Sequence, residues 1–287
     1  MSSYKPTVAL VTGASRGAGK GIALGLADHG MTVYVTGRSK SPTDSPLGGT
    51  VAETAELITK AGGKGIPVIC DHEKPEEIRQ LMERIHREQG WLDVLHNNVT
   101  HIHDELITPL PFYRRSVDLV KILDVGLKSA YYACYYAAPI FLRQKKGLIS
   151  FSSSFGSACY MHGPAYGAQK AGVDKFAADM AVDFENEGVC CVSIWMGPLR
   201  TERFAKAVQE RPEQYAQFAE VVETPQFTGD ILWAIANDAN NLRLSGKTLI
   251  GAEIASEYEI TDRNGKQPPS YRSALGEPRI PHPARVY

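Results

Sequence analysis

The chain has 287 residues, with 31 Lys and Arg against 32 Asp and Glu, a formal net charge of −1. That balance argues against a nucleic-acid partner held through bulk charge, and 43% hydrophobic against 22% charged residues excludes a disordered chain. No window reaches the roughly 18 consecutive apolar residues of a membrane span, and Met1 to Pro6 carries no signal-peptide apolar core; a cytoplasmic protein is expected.

Short apolar runs recur along the chain at Val8–Thr12, Thr32–Thr36, Ile66–Cys70, Val94–His96, Leu148–Phe151, Val189–Trp195 and Thr248–Ile250. Several are apolar at every position, as strands covered on both faces should be. Helix-like stretches separate them: Gly17–His29, Gly49–Ala61, Pro75–Gln89, Leu119–Leu142 and Ala165–Glu187. Strand and helix in alternation predict one α/β domain of the Rossmann type, doubly wound. Its seven-stranded, mainly parallel sheet should carry helices on both faces. Residues 1–260 make up this body, and the proline-bearing segment 261–287 either drapes over it or is mobile.

The first strand runs into Gly13-Ala14-Ser15-Arg16-Gly17-Ala18-Gly19, and a helix follows. Gly13 permits a tight turn, Gly17 lets the backbone approach a pyrophosphate, and Gly19 allows close packing. The helix N-terminus then offers free N–H groups to phosphate. This turn predicts dinucleotide binding, with Gly13, Ser15, Arg16, Gly17 and Gly19 around the phosphates. No Asp or Glu follows the second strand to take a ribose 2′-hydroxyl; Arg38 and Ser39 stand there instead. Two guanidinium groups, Arg16 and Arg38, suit a 2′-phosphate. NADP is therefore the expected cofactor, with NAD as the other option.

Tyr166 and Lys170 share one helix face at i, i+4 spacing. A phenol with a pKa of about 10 is a poor acid–base group at neutral pH. A nearby ammonium favours the phenolate, and the pair can then exchange a proton with an alcohol oxygen. Ser153 precedes Tyr166 by thirteen residues, at the end of the fifth strand, where ligands bind in parallel sheets.

These motifs occur in a fixed order: T-G-x-x-x-G-x-G, Asn97-Asn98, S-S-S-x-x-G, Y-x-x-x-K, and G-P-x-x-T at Gly197–Thr201. Together they resemble the short-chain dehydrogenase/reductase superfamily over roughly residues 5 to 255. The resemblance implies an oxidoreductase interconverting a carbonyl and a secondary alcohol. It implies Tyr166 as general acid and base, Lys170 holding the nicotinamide ribose and lowering the tyrosine pKa, and Ser153 orienting the substrate oxygen. It places Asp71 and His72 against adenine and Asn98 under the adenosine ribose. Gly197, Pro198 and Thr201 would line the carboxamide side of the nicotinamide.

Three positions depart from the superfamily pattern. Thr100 replaces a glycine beside the cofactor, Met196 a proline, and Gly126 the asparagine that supports a proton-relay water. A backbone carbonyl at Gly126 could still hold that water. Gly126 and Thr100 leave open a cofactor-binding protein with vestigial catalysis, and a lyase or epimerase on the same scaffold is the other alternative.

His101, His103 and Asp104 match no strong metal-ligand pattern, so no metal is expected. Cys190 and Cys191 should point to opposite faces of their strand as packing residues. Phe155, Tyr160, Met161, Met196, Phe204 and the loop His101–Arg115 are the expected pocket wall. Their character favours a small hydrophobic carbonyl or alcohol substrate. The broadly apolar stretches Leu119–Leu142, with its tyrosines 131, 132, 135 and 136, and Ala165–Glu187 suggest a homodimer or homotetramer.

Overall fold

A computed structural model describes residues 7–215, 218 and 220–287. Seven parallel strands form one sheet in the order β3-β2-β1-β4-β5-β6-β7. They are β1 (Val8–Val11), β2 (Thr32–Gly37), β3 (Lys64–Ile69), β4 (Val94–Asn97), β5 (Gly147–Ser153), β6 (Val189–Trp195) and β7 (Thr248–Ile250). The order reverses between β1 and β4. In open α/β sheets that switch point opens the ligand crevice at the strands' C-terminal ends.

Each face of the sheet is covered. Helices α1 (Gly17–Asp28), α2 (Val51–Lys60) and α9 (Pro225–Asn237) bury Ile22, Leu26, Ile58, Phe227 and Ile231 against Val11, Val33 and Val192. Helices α3 (Pro75–Gln89), α5 (Ser129–Gln144) and α6 (Pro164–Asp183) bury Ile78, Met82, Phe141 and Val173 against Leu10, Leu95 and Phe151. Cys190 belongs to the first layer and Cys191 to the second, as alternation requires.

Local sequence sets several boundaries. Thr50 and Glu53 form a capping box that starts α2: Glu53 N–H donates to Thr50 Oγ1 at 3.0 Å and Thr50 N–H to Glu53 Oε2 at 2.8 Å. Pro75 opens α3, and Gly90 ends it in the left-handed conformation.

The stretch 119–142, expected as one helix, is interrupted. A 3₁₀ turn (Val117–Val120) leads into the short α4 (Lys121–Leu123), a π turn (Asp124–Lys128) and then α5. Gly126 sits in the π turn. A residue with low helix propensity suits such a local break. The helices α7 (Glu202–Glu210), α8 (Pro212–Tyr215), α9, α10 (Gly251–Glu257) and α11 (Arg272–Leu275) lie outside the periodic stretches read from the sequence.

Much of the C-terminal segment is fastened to the body. Asp262 is buried and accepts from Thr224 N at 2.8 Å and from Thr224 Oγ1. Arg263 pairs with Asp28 and Asp230 at 2.8 and 3.0 Å, and Arg272 with Glu253 at 2.6 Å. Tyr271 and Leu275 pack beside Phe155, Trp195 and Ile250. Among the described residues, no helix is long and apolar enough to cross a membrane.

Candidate active site

At the C-terminal end of β1 the chain turns through Gly13, whose φ is +67° and whose Cβ, if it had one, would lie 2.7 Å from Val99 Cα. A Cβ on Gly19 would lie 2.4 Å from Asn98 Nδ2 and from Gly13 O. The turn is therefore packed directly against the end of β4. Asn98 fastens the two together: its Nδ2 donates to Thr12 O at 2.9 Å and to Gly13 O at 3.1 Å. Thr12 Oγ1 accepts from the backbone amides of Asn98 and Val99 at 2.9 and 3.1 Å. Thr12, the first residue of the T-G-x-x-x-G-x-G motif, contributes its hydroxyl as a structural part of the site.

The start of α1 already holds an anion. Gly17 N–H donates to Glu202 Oε2 at 2.9 Å, and Lys20 lies 3.5 Å from Glu202 Oε1. This carboxylate stands where the dipole and free amides of a helix N-terminus favour phosphate. Arg16 folds back beside the turn. Its Nε donates to Gly48 O at 2.5 Å, and its Nη2 to Gly49 O at 2.8 Å and to Ser39 Oγ at 2.6 Å. Arg16 thus meets the residue that follows Arg38, while Arg38 is solvent-exposed and contacts Glu73 at 3.5 Å. Ser15 is buried within the turn.

Asp71 and His72 follow β3 and separate in role. Asp71 is half-buried at the crevice. His72 is 3% exposed, its Nε2 is 2.8 Å from Thr36 Oγ1, and burial pushes its pKa down to about 4. The expectation that the His72 ring lies against an adenine is corrected: the ring faces inward onto β2.

The acid–base group differs by one residue from the expectation. Ser154 Oγ, not Ser153 Oγ, lies 2.9 Å from Tyr166 Oη. Ser153 is the last residue of β5 and is fully buried; its hydroxyl donates toward Lys170 O at 3.4 Å and is also within reach of Asp174. The reason is strand parity. Successive residues face opposite sides, so Ser153 points under α6 with Phe151, and Ser154, just past the strand, turns to the crevice. Spacing to Tyr166 cannot detect that flip.

Lys170 is buried below the tyrosine. Its Nζ donates to Ser152 O at 3.1 Å and lies 5.4 Å from the Tyr166 ring centroid. Burial lowers the Lys170 pKa to about 8, against the opposing charge of Asp174. Burial raises the Tyr166 pKa, and the Ser154 hydrogen bond opposes that rise. The lysine does not outweigh desolvation of the phenol in this arrangement. Asp174, one turn beyond Lys170, accepts from Trp195 Nε1 at 2.9 Å and from Ser193 Oγ at 2.5 Å. Burial raises its pKa.

The loop after β6 carries Gly197, Pro198 and Thr201, held from beneath by Glu223. Gly197 N–H donates to Glu223 Oε1 at 3.1 Å and Glu223 N–H to Pro198 O at 2.9 Å. Glu223 is 2% exposed, and burial pushes its pKa up to about 8. Thr201 Oγ1 accepts from Phe204 N at 3.2 Å and caps α7.

A family profile described as short chain dehydrogenase matches residues 7–212. This chain belongs to the short-chain dehydrogenase family. It is 36% identical over 277 residues to human dehydrogenase/reductase SDR family member 1, covering 93% of this chain and 86% of the relative. It is 29% identical over 250 residues to a 3-oxoacyl-[acyl-carrier-protein] reductase from Synechocystis, covering 86% and 96%. A crystal structure of a short-chain alcohol dehydrogenase from Sinorhizobium meliloti shares the fold, with a TM-score of 0.72 at 23% identity over 87% of this chain and 96% of that one. The chain is accordingly an NAD(P)-dependent oxidoreductase of this family.

Against the family pattern, Thr100 and Gly126 are one feature. A Cβ on Gly126 would lie 2.8 Å from Thr100 Oγ1 and 3.1 Å from Gln169 Cγ. Thr100 thus occupies space that a side chain at 126 would need. The Gly126 carbonyl, expected to be free to hold a water, accepts from Gln169 Nε2 at 2.9 Å.

The segment 106–115 lies beside Tyr160–His162, whose His162 ring meets the Tyr166 ring at 4.9 Å. Arg115 joins them, donating to Leu106 O at 3.0 Å and His162 O at 2.9 Å. Between them runs a groove of about 640 Å³ lined by Leu106, Leu110, Tyr160 and Met161. Phe155, expected in the pocket wall, is instead core: it is 2% exposed, with its ring 5.0 Å from Trp195. His103 Nδ1 accepts from Glu105 N at 3.1 Å and caps a short turn.

Proposed function

We propose that this chain is an NADP(H)-dependent reductase of small hydrophobic carbonyls, or a dehydrogenase of the matching secondary alcohols. The observation that carries the reading is the 2.9 Å contact between Ser154 Oγ and Tyr166 Oη above the buried Lys170. During reduction the Tyr166 hydroxyl gives its proton to the substrate oxygen as negative charge builds there. Ser154 donates a second hydrogen bond to the same oxygen, orienting it and stabilising the charge. Oxidation reverses the proton movement. Lys170, held by the Ser152 carbonyl, favours the phenolate, and Asp174 opposes the desolvation that would discharge the ammonium.

The residues around the glycine-rich turn fit a dinucleotide: the amide of Gly17 already binds a carboxylate, and the cradle at Gly13 and Gly19 has no room for a Cβ. A bound nicotinamide supplies or accepts the hydride. Asn98, Asp71, Gly197, Pro198, Thr201 and Lys170 line the path from adenosine to nicotinamide. The preference for NADP rests on Arg16 and Arg38 flanking Ser39, with no acidic side chain directly after β2 at residues 38–40.

The hydrophobic substrate reading rests on the groove of Leu106, Leu110 and Met161. Exposed Tyr131, beside Phe176, and exposed Tyr135, stacked on Tyr131, support self-association into a homodimer or homotetramer. We place the protein in the cytoplasm, with residues 1–260 as catalytic body and 261–287 as an extension over it.

The test is direct binding of NADPH and NADH, then cofactor oxidation over a panel of ketones and aldehydes, for wild type and Tyr166→Phe. Tighter NADPH binding and a turnover loss of about 10²–10⁴-fold in the variant are expected. Turnover that survives Tyr166→Phe would remove the mechanism.

A further inference from the structure

His96 has no place in the chemistry above, yet it is fully buried at the centre of the sheet. It pairs with Ser150 across β4 and β5, and Ser152 lies two residues further along the same face. Both ring nitrogens are bonded: Nδ1 is 2.8 Å from Ser150 Oγ and Nε2 is 2.9 Å from Ser152 Oγ. Ser152 Oγ is also 3.2 Å from Asn98 Oδ1.

The protons in this chain run one way. The Asn98 amide faces two carbonyls, Thr12 O and Gly13 O, and only its NH2 can donate to them. Its Oδ1 is then an acceptor, and Ser152 must donate to it. A hydroxyl has a single proton, so Ser152 in turn accepts from His96, and the ring hydrogen sits on Nε2. Nδ1 is left bare and accepts the single Ser150 proton at 2.8 Å, which the more distant Leu95 carbonyl, 3.4 Å from Ser150 Oγ, gives up. The opposite direction would face a Ser152 lone pair toward Asn98 Oδ1 and leave that oxygen without its donor. Burial, with Lys170 acting in the same direction, pushes the His96 pKa down to about 3. The ring therefore stays neutral and its tautomer does not change around neutral pH.

We propose that His96 is a positioning residue for the cofactor pocket: it fixes the Ser152 hydroxyl on Asn98, and so holds the Asn98 amide against the glycine-rich turn. Ser152 links the two halves of the site, because its hydroxyl serves Asn98 while its carbonyl receives Lys170 at 3.1 Å. The inference rests on the reading of that turn as the dinucleotide pocket.

The experiment combines NADPH titration with side-chain nitrogen NMR of the histidines. His96→Leu keeps apolar bulk but removes both ring nitrogens, and should weaken NADPH binding about ten-fold. His96→Gln, with a donor and an acceptor on its carboxamide, should recover to within about three-fold of wild type. Ser152→Ala keeps the carbonyl under Lys170 and disturbs the core least; it should weaken NADPH binding as His96→Leu does. In the wild-type protein the His96 ring should carry its hydrogen on Nε2, with Nδ1 bare, between about pH 6 and 8. Wild-type affinity in Ser152→Ala, or a hydrogen found on Nδ1, overturns the proposal. Absence of dinucleotide binding in the wild-type protein is a separate result, which removes the functional reading and this inference with it.

Discussion

Glu202 Oε2 accepts a hydrogen bond from the Gly17 amide at 2.9 Å, so a carboxylate from the start of α7 caps α1 at the glycine-rich turn. A dinucleotide brings its own negative charge to that turn. The two anions compete for the same amide and for Lys20, which lies 3.5 Å from Glu202. Glu202→Gln should therefore tighten NADPH binding by about two- to five-fold at low salt, since charge near a helix N-terminus is worth about 0.3–1 kcal/mol. Titration at two ionic strengths checks this; weaker binding in the variant would mean that Glu202 supports the cofactor rather than opposing it.

Gly126 and Thr100 should behave as a coupled pair. Gly126→Asn places a Cβ 2.8 Å from Thr100 Oγ1, and overpacking of this kind costs about 1–3 kcal/mol. The single variant is expected to unfold at lower temperature than wild type. Adding Thr100→Gly should recover part of the loss. Thermal melts of the two single variants and the double form a mutant cycle; strict additivity would show that the two sites do not share the space.

Glu223 should make stability depend on pH. Its pKa is raised from 4.5 to about 8 in the folded chain, so between those values the folded state holds a proton that the unfolded state has released. Stability from this group is present below about pH 4.5 and is lost as pH rises toward 8. Glu223→Gln keeps an acceptor for the Gly197 amide and removes the titration. The melting temperature of the variant relative to wild type should therefore increase between about pH 5 and 8.5. A constant difference across that range would contradict a buried, protonated Glu223.

Much of this molecule is legible in its sequence because local pattern dictates it. All seven strands fall on apolar runs with glycine or polar borders, Gly13 turns the chain just past β1, and Tyr166 and Lys170 lie on one helix, α6. Less legible are the features that depend on parity or on distant contacts. Ser153 and Ser154 are adjacent and chemically identical, and only the position of the last β5 residue decides which hydroxyl meets Tyr166. Glu223 and Asp174 look like surface acids until the loop after β6 and the end of β6 close over them. His72 resembles a crevice residue in sequence, but Thr36 draws its ring inward. The C-terminal segment shows no periodicity, because it is attached by scattered side chains, Asp262 to Thr224, Arg263 to Asp28 and Asp230, and Tyr271 beside Phe155, rather than by one face of an element.

The central claim, that Ser154 and Tyr166 together handle the substrate oxygen, is tested most directly by comparing Ser154→Ala with Ser153→Ala. The measurement is NADPH oxidation with the best carbonyl substrate, alongside NADPH affinity. Ser154→Ala should lower kcat/KM by about 10²–10³-fold with cofactor affinity unchanged, as loss of one preorganised donor to a developing oxyanion does. Ser153→Ala should retain most of the activity, because its hydroxyl faces Lys170 O and Asp174 beneath the helix. The reverse pattern, with Ser153→Ala inactive and Ser154→Ala near wild type, would contradict the account.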